Sequence, residues 1–461
     1  MTTSNAFNTL PLRPELLENL QTLKFDSMTP IQEQSLPFIL EGKNIIAQAK
    51  TGSGKTAAFG LGILNSLDTT EKELHALVLC PTRELADQVA AEIRMLARSL
   101  PNVKITTLCG GTPESLQEKS LNAGAHIAVG TPGRVLQHLK KKTLKLYSID
   151  YFTLDEADRM LDMGFEEELN EIITYLPKRK QSLLFSATYP DDIRKLSESV
   201  QDDAVEIKID VTHKEDNINQ IFYEVRPTQD KNNLLYKILS QYKPDRAIVF
   251  CRTKRETADV AEFLANRKIY AQCINGDLEQ NERTDVLTKF SNRSLSILVA
   301  TDVAARGLDI EDLAAVVNYN LPPSADDYVH RVGRTGRAGK KGLAFSFFNP
   351  IEEDKLEAIE DLLNKPCNIE NPLDLSYTEK YSLTPPMRTM YISGGKKDKL
   401  RPGDIVGALV NEAKIDAKDI GDISVLNAFS YVAIKRSKVE KAISKLSHGK
   451  IKKKKFKVGL A

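Results

Sequence analysis

Two stretches about a hundred residues apart have the residue types and spacing to hold a nucleotide phosphate chain and a metal ion. The first is AKTGSGKT (49–56), set between the strand-like NIIAQA and the helix-compatible AAFGLGIL. It satisfies the GxxxxGK[ST] pattern in a relaxed form, with Ala49 where the first glycine often stands. Glycines at this spacing let the backbone curl so that amides point at phosphate oxygens, while a lysine neutralises the β- and γ-phosphates and a hydroxyl reaches Mg²⁺. The loop from Thr51 through Gly52, Ser53 and Gly54 to Lys55 and Thr56 is therefore assigned to the nucleotide. The second stretch is the apolar run YFTL, which ends in Asp155-Glu156-Ala157-Asp158. A carboxylate at the end of a buried strand beside a phosphate loop suits the metal shell, and its neighbour can activate water. Asp155 is assigned to the metal and Glu156 to the general base. Alone, two adjacent acids are an ordinary helix start.

The elements that must position these residues follow from hydrophobic patterning. From about Lys43 to Ile209, short apolar runs such as HALVLC, HIAVG and SLLFSA alternate with longer amphipathic stretches such as TRELADQVAAEIRMLARSL. That alternation is the pattern of a parallel sheet wrapped by helices. It restarts with RAIVFC, YAQCI, SILVA, AAVVNY and LAFSFF. The expected architecture is α/β: two similar lobes joined by a short linker, plus a small C-terminal unit. Its boundaries are a nucleotide-binding lobe at 1–209, a linker at 210–218, a second lobe at 219–363, a connector at 364–386 and a final domain at 387–461.

Composition narrows the function classes. The chain has 461 residues, 41% hydrophobic and 28% charged, enough for about three domains. No apolar run approaches the roughly 18 residues needed to cross a bilayer, and the start lacks a basic region followed by an apolar segment, so a cytoplasmic protein without a membrane partner is expected. Five cysteines without a CxxC pair disfavour a disulfide framework or a zinc site, and the six histidines include no HExxH pair. The net charge of +1 is unevenly spread: residues 385–461 hold 18 Lys and Arg against 7 Asp and Glu, net +11, which leaves −10 elsewhere. Such a segment is either a nucleic-acid footprint or a solvated charged face.

With these motifs in order, the chain resembles the DEAD-box RNA helicases over about residues 5 to 350. The resemblance implies that the two α/β lobes are RecA-like and that the chain is an RNA-stimulated ATPase with ATP and Mg²⁺ as cofactors. It implies that Phe25, Thr29 and Gln32, in FDSMTPIQ (25–32), form an adenine-recognition element, with Gln32 pairing with the adenine edge and Phe25 packing on its ring. A side-chain amide offers the donor and acceptor that this edge needs. Pro81, Thr82 and Arg83 in PTRELA, then Gly110 and Gly111, then Thr131 and Arg134 in TPGR are implied RNA contacts of the first lobe. The hydroxyls of Ser186-Ala187-Thr188 are expected to bond the Asp158 carboxylate. In the second lobe, VFCRT (249–253), GDLEQNER (276–283), ATDVAARGLDI (300–310) and HRVGRTGRAG (330–339) complete the series. These imply RNA contacts at Arg252, Thr253, Gly276, Thr301 and Asp302, nucleotide contact at Asp309, and catalytic arginine fingers at Arg334 and Arg337 that make hydrolysis depend on lobe closure. The chain departs from the family at Lys24, often Gly, at Asn275, often His, and at Arg252, often Asn.

The segment from Tyr391 to Lys435 is similar to the C-terminal RNA-binding domain of the bacterial DbpA/YxiN subgroup, which implies recognition of a large-subunit ribosomal RNA hairpin and of pre-ribosomal particles. A strand at 389–393, a helix at 402–411, two strands, a helix at 438–446 and a strand at 453–459 fit an RRM-like α+β domain, a βαββαβ sandwich. Tyr391, Phe429 and Tyr431 are available for base stacking, but the RNP1 string is absent. Lys396, Lys397, Lys399 and Arg401 are therefore the preferred RNA contacts. Two competing readings are a DNA translocase sharing the phosphate loop, separable by whether RNA or DNA stimulates ATPase, and a non-enzymatic RNA clamp, disfavoured by the intact Lys55, Glu156, Arg334 and Arg337.

Overall fold

The computed structural model describes residues 5–49, 52–209, 217–226, 230–305, 310, 312–336 and 341–461. Thr51, Asp309, Arg337 and most of the 210–218 linker lie outside the described residues. One compact unit holds the first sheet, and a second unit holds the other two.

The first sheet comprises β1 (Ile45–Gln48), β2 (Ala76–Leu79), β3 (Ile105–Leu108), β4 (Ile127–Gly130), β5 (Tyr151–Asp155), β6 (Gln181–Ser186) and β7 (Val205–Lys208). Their order is β3-β4-β2-β5-β6-β1-β7, with every pair parallel. Both faces are covered. Ile45, Ala47, Val78, Val129 and Phe185 point into one apolar cluster, whereas Ile46, Leu77, Leu79, Ala128 and Leu184 point into another. This two-sided burial explains why the strands read as continuous apolar runs. Among the covering helices, Arg83–Leu96 buries Leu85, Ala86, Val89, Ala90, Ile93 and Leu96, a stripe at helical spacing.

The second sheet comprises β8 (Ile218–Glu224), β9 (Ala247–Phe250), β10 (Ala271–Ile274), β11 (Ile297–Ala300), β12 (Ala315–Asn318), β13 (Gly342–Phe348) and β14 (Ile369–Glu370). Its order, β10-β11-β9-β12-β13-β8-β14, repeats that of the first sheet strand for strand. The fold class read from the sequence is thus present. The connector is not loose chain, however: β14 pairs with β8, Leu375 enters the second lobe's core, and Leu383 exchanges backbone hydrogen bonds with Lys268 and Tyr270. The Tyr236 hydroxyl lies within hydrogen-bond distance of the carbonyls of Thr378, Glu379 and Tyr381. The five cysteines are free, with Cys80, Cys109 and Cys251 buried.

The third sheet is antiparallel, formed by β15 (Met387–Ile392), β16 (Ile420–Val425), β17 (Ser430–Lys435) and β18 (Val458–Leu460) in the order β16-β17-β15-β18. Helices Pro402–Asn411 and Val439–His448 pack on one face, which buries Met390, Ile392, Val432 and Ile434. The last strand is shorter than the expected 453–459. Lys452 and Lys453 take left-handed φ values of 51° and 66°, and Ile451 and Lys454 exchange hydrogen bonds, so the lysine run folds as a turn.

The other face of this sheet meets the second lobe's helix Gln280–Ser291 and the turn after it. Tyr431, 6% exposed, is hydrogen-bonded to Asp285, and burial together with that carboxylate raises its hydroxyl well above the usual tyrosine range. Thr389, 2% exposed, accepts a hydrogen bond from Asn292 Nδ2 at 3.0 Å. Thr389→Val should leave that amide donor buried without its acceptor, which costs about 1–3 kcal/mol. Thr389→Ser keeps the hydroxyl and should cost less than about 1 kcal/mol. Denaturant unfolding of the two variants checks this, and an equal loss in both would mean that the threonine methyl packing, not the hydrogen bond, matters.

Candidate nucleotide and RNA site

The described candidate residues of both lobes lie at or beyond the C-terminal ends of parallel strands, apart from Phe25, Thr29 and Gln32, which precede the first strand, and Arg334, whose carbonyl accepts from the Leu313 amide just ahead of β12. In the first lobe β1 runs into the phosphate loop, β5 ends in Asp155 and β6 ends in Ser186, whereas β2, β3 and β4 end just before Pro81, Gly110 and Thr131. The strand order places the last three side by side, so one half of the rim is assigned to nucleotide and the other half to RNA.

Gly52 and Gly54 adopt φ values of 76° and 92°, and Gly54 caps the helix Lys55–Ser66. A left-handed cap directs the first amides of the helix outward, where they suit an anion. Lys55 is buried and donates to the Ala49 carbonyl at 3.1 Å. Thr29 caps the helix Pro30–Leu40, and Gln32, 2% exposed, accepts from the Thr29 amide at 2.9 Å while donating to the Gly54 carbonyl at 3.0 Å. Gln32 thus ties the adenine element to the phosphate loop, a role the sequence reading did not include. Phe25 meets Phe7 edge-on with ring centroids 6.4 Å apart. Lys24, at the departure from the family's frequent glycine, sits at φ 59°, a region that glycine enters freely.

Asp155 is 2% exposed, and burial, reinforced by Glu156 and opposed by Lys55, pushes its carboxyl up to about 7. Its Oδ1 is buried with no hydrogen-bond partner. An orphaned carboxylate oxygen beside a phosphate loop fits a hard divalent cation that keeps most of its water. Glu156 sits at φ 56°, ψ 53°, a left-handed conformation that costs a non-glycine residue roughly 1–2 kcal/mol and is typical of functional strain. Arg159, also buried, places Nε 3.5 Å from Glu156 Oε2. Asp158 Oδ2 accepts from the amides of Ala187 and Thr188 and from the Thr188 hydroxyl at 3.0–3.1 Å, whereas the Ser186 hydroxyl, also expected at the carboxylate, accepts from the Asp158 amide at 3.4 Å.

On the other half of the rim, Thr82 caps its helix by accepting from Leu85, and the Arg83 guanidinium lies over Gly110, where an added Cβ would stand 2.5 Å from Nη2. Gly111 takes φ 80°. Thr131 precedes the helix Pro132–Lys140, from which Arg134 Nη1 donates to the Thr112 carbonyl at 3.2 Å and to Gln117 Oε1 at 3.1 Å.

The second lobe repeats the arrangement, with Arg252 and Thr253 after β9, Gly276 after β10, and Thr301 and Asp302 after β11. Three of these residues have intramolecular partners. Arg252 Nη2 is 3.0 Å from Glu352 Oε1, and Thr253 caps its own helix through Glu256. Both oxygens of Asp302 accept from Arg331 at 2.6 Å, so this carboxylate serves to hold an arginine and is a poor direct ligand for an anionic backbone. Arg331, 4% exposed, also donates to Asn318 and Asn320, and the sequence reading missed it although it lies inside HRVGR. Arg334 is buried within this unit. Asn275, at the position where the family often has histidine, donates to the Thr257 hydroxyl and accepts from the Asp277 amide.

In the third domain, Lys396, Lys397, Lys399 and Arg401 are exposed. Lys452 Nζ donates to the Lys399 carbonyl at 2.6 Å and to Asp404, so the terminal lysine run lies against the glycine-lysine segment as one basic surface. Tyr431 is not available for stacking, because it faces Asp285, while Tyr391 and Phe429 remain half-buried beside it.

Comparison with known proteins agrees with this geometry. Residues 29–196 match the DEAD/DEAH box helicase family, 230–339 the helicase conserved C-terminal domain, and 389–460 the DbpA RNA binding domain. The chain is 48% identical over 460 residues to the ATP-dependent RNA helicase DbpA of Escherichia coli K12, covering 100% of both chains. It is 36% identical to the protein of that name in Bacillus subtilis 168, covering 99% of each. Its fold resembles that of Saccharomyces cerevisiae Dbp5 bound to RNA and ADP BeF3, with TM-score 0.73 and 31% identity over 80% of this chain and 96% of that one. Two RecA-like lobes bearing the ordered motifs, followed by this RNA-binding domain, make the chain a member of the DbpA subgroup of DEAD-box ATP-dependent RNA helicases.

Proposed function

We propose that this helicase uses ATP to separate short stretches of structured large-subunit ribosomal RNA during ribosome assembly in the cytoplasm, with the C-terminal domain selecting an RNA hairpin. The observation that carries this reading is the exposed basic surface made by Lys396, Lys397, Lys399, Arg401 and Lys452 on a domain whose sheet face is already occupied. RNA recognition on loops and termini suits hairpins and other structured sites.

In the first lobe, Lys55, Thr56 and the amides of residues 52–54 would hold the triphosphate, and Asp155 with Thr56 would hold the shell of a Mg²⁺ ion, which supplies charge neutralisation when bound. Glu156 takes the proton of the attacking water. Arg334 and Arg337 supply positive charge to the γ-phosphate, a contribution worth roughly 10³–10⁵ in rate where such fingers have been measured. Pro81 to Arg83, Gly110, Gly111, Thr131 and Arg134, with Arg252, Thr253, Gly276 and Thr301, contact the RNA backbone and ribose. Asp302 contributes through Arg331.

Glu156→Gln preserves the volume and leaves Lys55, Thr56 and Asp155 in place while removing the base. Turnover should fall by roughly 10²–10⁴ with ATP-dependent RNA binding retained. Near-normal turnover would remove Glu156 from the chemistry.

Gln32→Ala removes the Gly54 tether as well as the proposed adenine contact. Half-saturating ATP should rise and the preference for ATP over GTP should shrink, since a site built to hydrogen-bond one base discriminates strongly against another. A rise in half-saturation with the preference intact would assign Gln32 to loop support alone.

The triple variant K396A/K397A/R401A of the full chain tests RNA selection. Wild type should reach half-maximal ATPase at a lower concentration of a large-subunit ribosomal hairpin than of a scrambled hairpin of equal length, and the triple variant should lose that difference. Its binding should also depend less on salt, the log–log slope falling by about 0.7–0.9 for each phosphate that is no longer neutralised. No preference in wild type would reduce the domain to an electrostatic tether.

A further inference from the structure

Gln117 is 3% exposed on the helix Glu114–Asn122, and no motif includes it. Its amide has partners on both its nitrogen and its oxygen. Nε2 donates to the Cys109 carbonyl at 2.7 Å, one residue before Gly110-Gly111, while Oε1 accepts from Arg134 Nη1 at 3.1 Å and faces His138 Nε2 at 2.8 Å. Only this orientation of the amide satisfies both sides, because a carbonyl needs a donor and a guanidinium needs an acceptor. His138, with no exposed surface, must then donate from Nε2, and its Nδ1 is 2.8 Å from the Thr143 hydroxyl. Arg134 and His138 are one turn apart on the same helix and so reach Gln117 from one face.

Two of the first lobe's proposed RNA segments, the glycine pair and the Arg134 segment, are therefore joined through this side chain, alongside the direct bond from Arg134 to the Thr112 carbonyl. The glycine pair hangs from Gln117 through the Cys109 carbonyl. Arg134 is steered by it, and His138 locks it. Arg83 lies over the same Gly110. The remaining tie between these two helices, Glu114 with Gln137 and Lys141, has its lysine half exposed, and exposed pairs contribute little. An arginine side chain left free loses much rotamer freedom when it grips a phosphate, and holding it beforehand removes that cost from RNA binding.

We propose that Gln117, with His138, is a positioning residue that pre-sets the glycine pair and Arg134 for the RNA backbone. The proposal rests on the reading of Gly110, Gly111 and Arg134 as RNA contacts. The test uses the full chain, with ATPase titrated by unstructured poly(U) RNA. Gln117→Leu should raise half-saturating RNA by roughly tenfold, the equivalent of one or two hydrogen bonds, with half-saturating ATP at saturating RNA within about twofold of wild type. His138→Leu should move RNA half-saturation in the same direction. His138→Gln, whose amide nitrogen can replace ring Nε2 as donor, should stay within about twofold of wild type. The His138 pair also decides the matter if Gln117→Leu folds poorly. Arg134→Ala separates the two levels of the argument. If it raises half-saturating RNA while Gln117→Leu does not, positioning by Gln117 is wrong. If Arg134→Ala itself has no effect, the RNA-contact reading beneath it is wrong. A rise in both half-saturation constants with a lowered melting temperature in His138→Gln and His138→Leu alike would reduce the network to core packing.

Discussion

Parallel pairing is the constraint on which the rest of the molecule depends. Because every strand within each of the first two sheets runs the same way, each sheet hands its chain to loops on one rim of its own, where most of the described candidate residues of the two lobes sit. The order of strands then divides that rim. β1, β5 and β6 bring the phosphate loop, the acidic pair and the Ser186 segment together on one side, and β2, β3 and β4 bring the glycine pair and the two arginine segments together on the other. Both faces of such a sheet must be covered by helices for it to be stable, which is why the central strands β2, β4, β9 and β11 are apolar and wholly buried, while polar residues appear at edges such as β7 and along the rim.

The nucleotide half of the rim stores cost in its own backbone and charges. Asp155 is buried with an unpartnered oxygen, and its carboxyl resists ionisation up to about 7, even with Lys55 nearby. Glu156 is held in a left-handed conformation between a strand end and a helix start. Neither state is one that an isolated chain would choose. The surroundings hold them there: Asp158 anchors the acidic segment to Ala187 and Thr188, while Gln32 anchors the phosphate loop at Gly54. A charge arriving beside Asp155 would meet a carboxylate already withdrawn from water, where charges interact more strongly than in bulk solvent.

Much of this was legible in the sequence because it is local. The phosphate loop needs its glycines and lysine within eight residues, the acidic strand end is contiguous, and the two sheets announce themselves by repeated apolar runs. What stayed hidden was the partner of each group. Gln32 bonds Gly54 from 22 residues away, and Arg331 takes both oxygens of Asp302 from 29 away. A buried glutamine such as Gln117 reads like any helix-surface glutamine until tertiary structure places a carbonyl and two donors around it. The terminal lysine run misled for a related reason: four consecutive lysines have no intrinsic bar to a strand, and only the Ile451–Lys454 turn shows that they wrap back toward Lys399.

The third domain shows how packing redirects function. An antiparallel sheet with helices on one face leaves the other face needing cover, and aromatic residues there ordinarily find it in stacked bases. Here Tyr431 and Thr389 find it in the second lobe, through Asp285 and Asn292. Those contacts take the central positions of the sheet out of reach, since a base entering there would have to displace a buried hydrogen bond as well as apolar surface. Charge then accumulates where solvent remains, on the loop at 396–401 and the turn at 452–455, and the two are drawn together by Lys452 bridging the Lys399 carbonyl and Asp404. The same connection that fixes this domain to the second lobe therefore also decides which of its surfaces stays exposed.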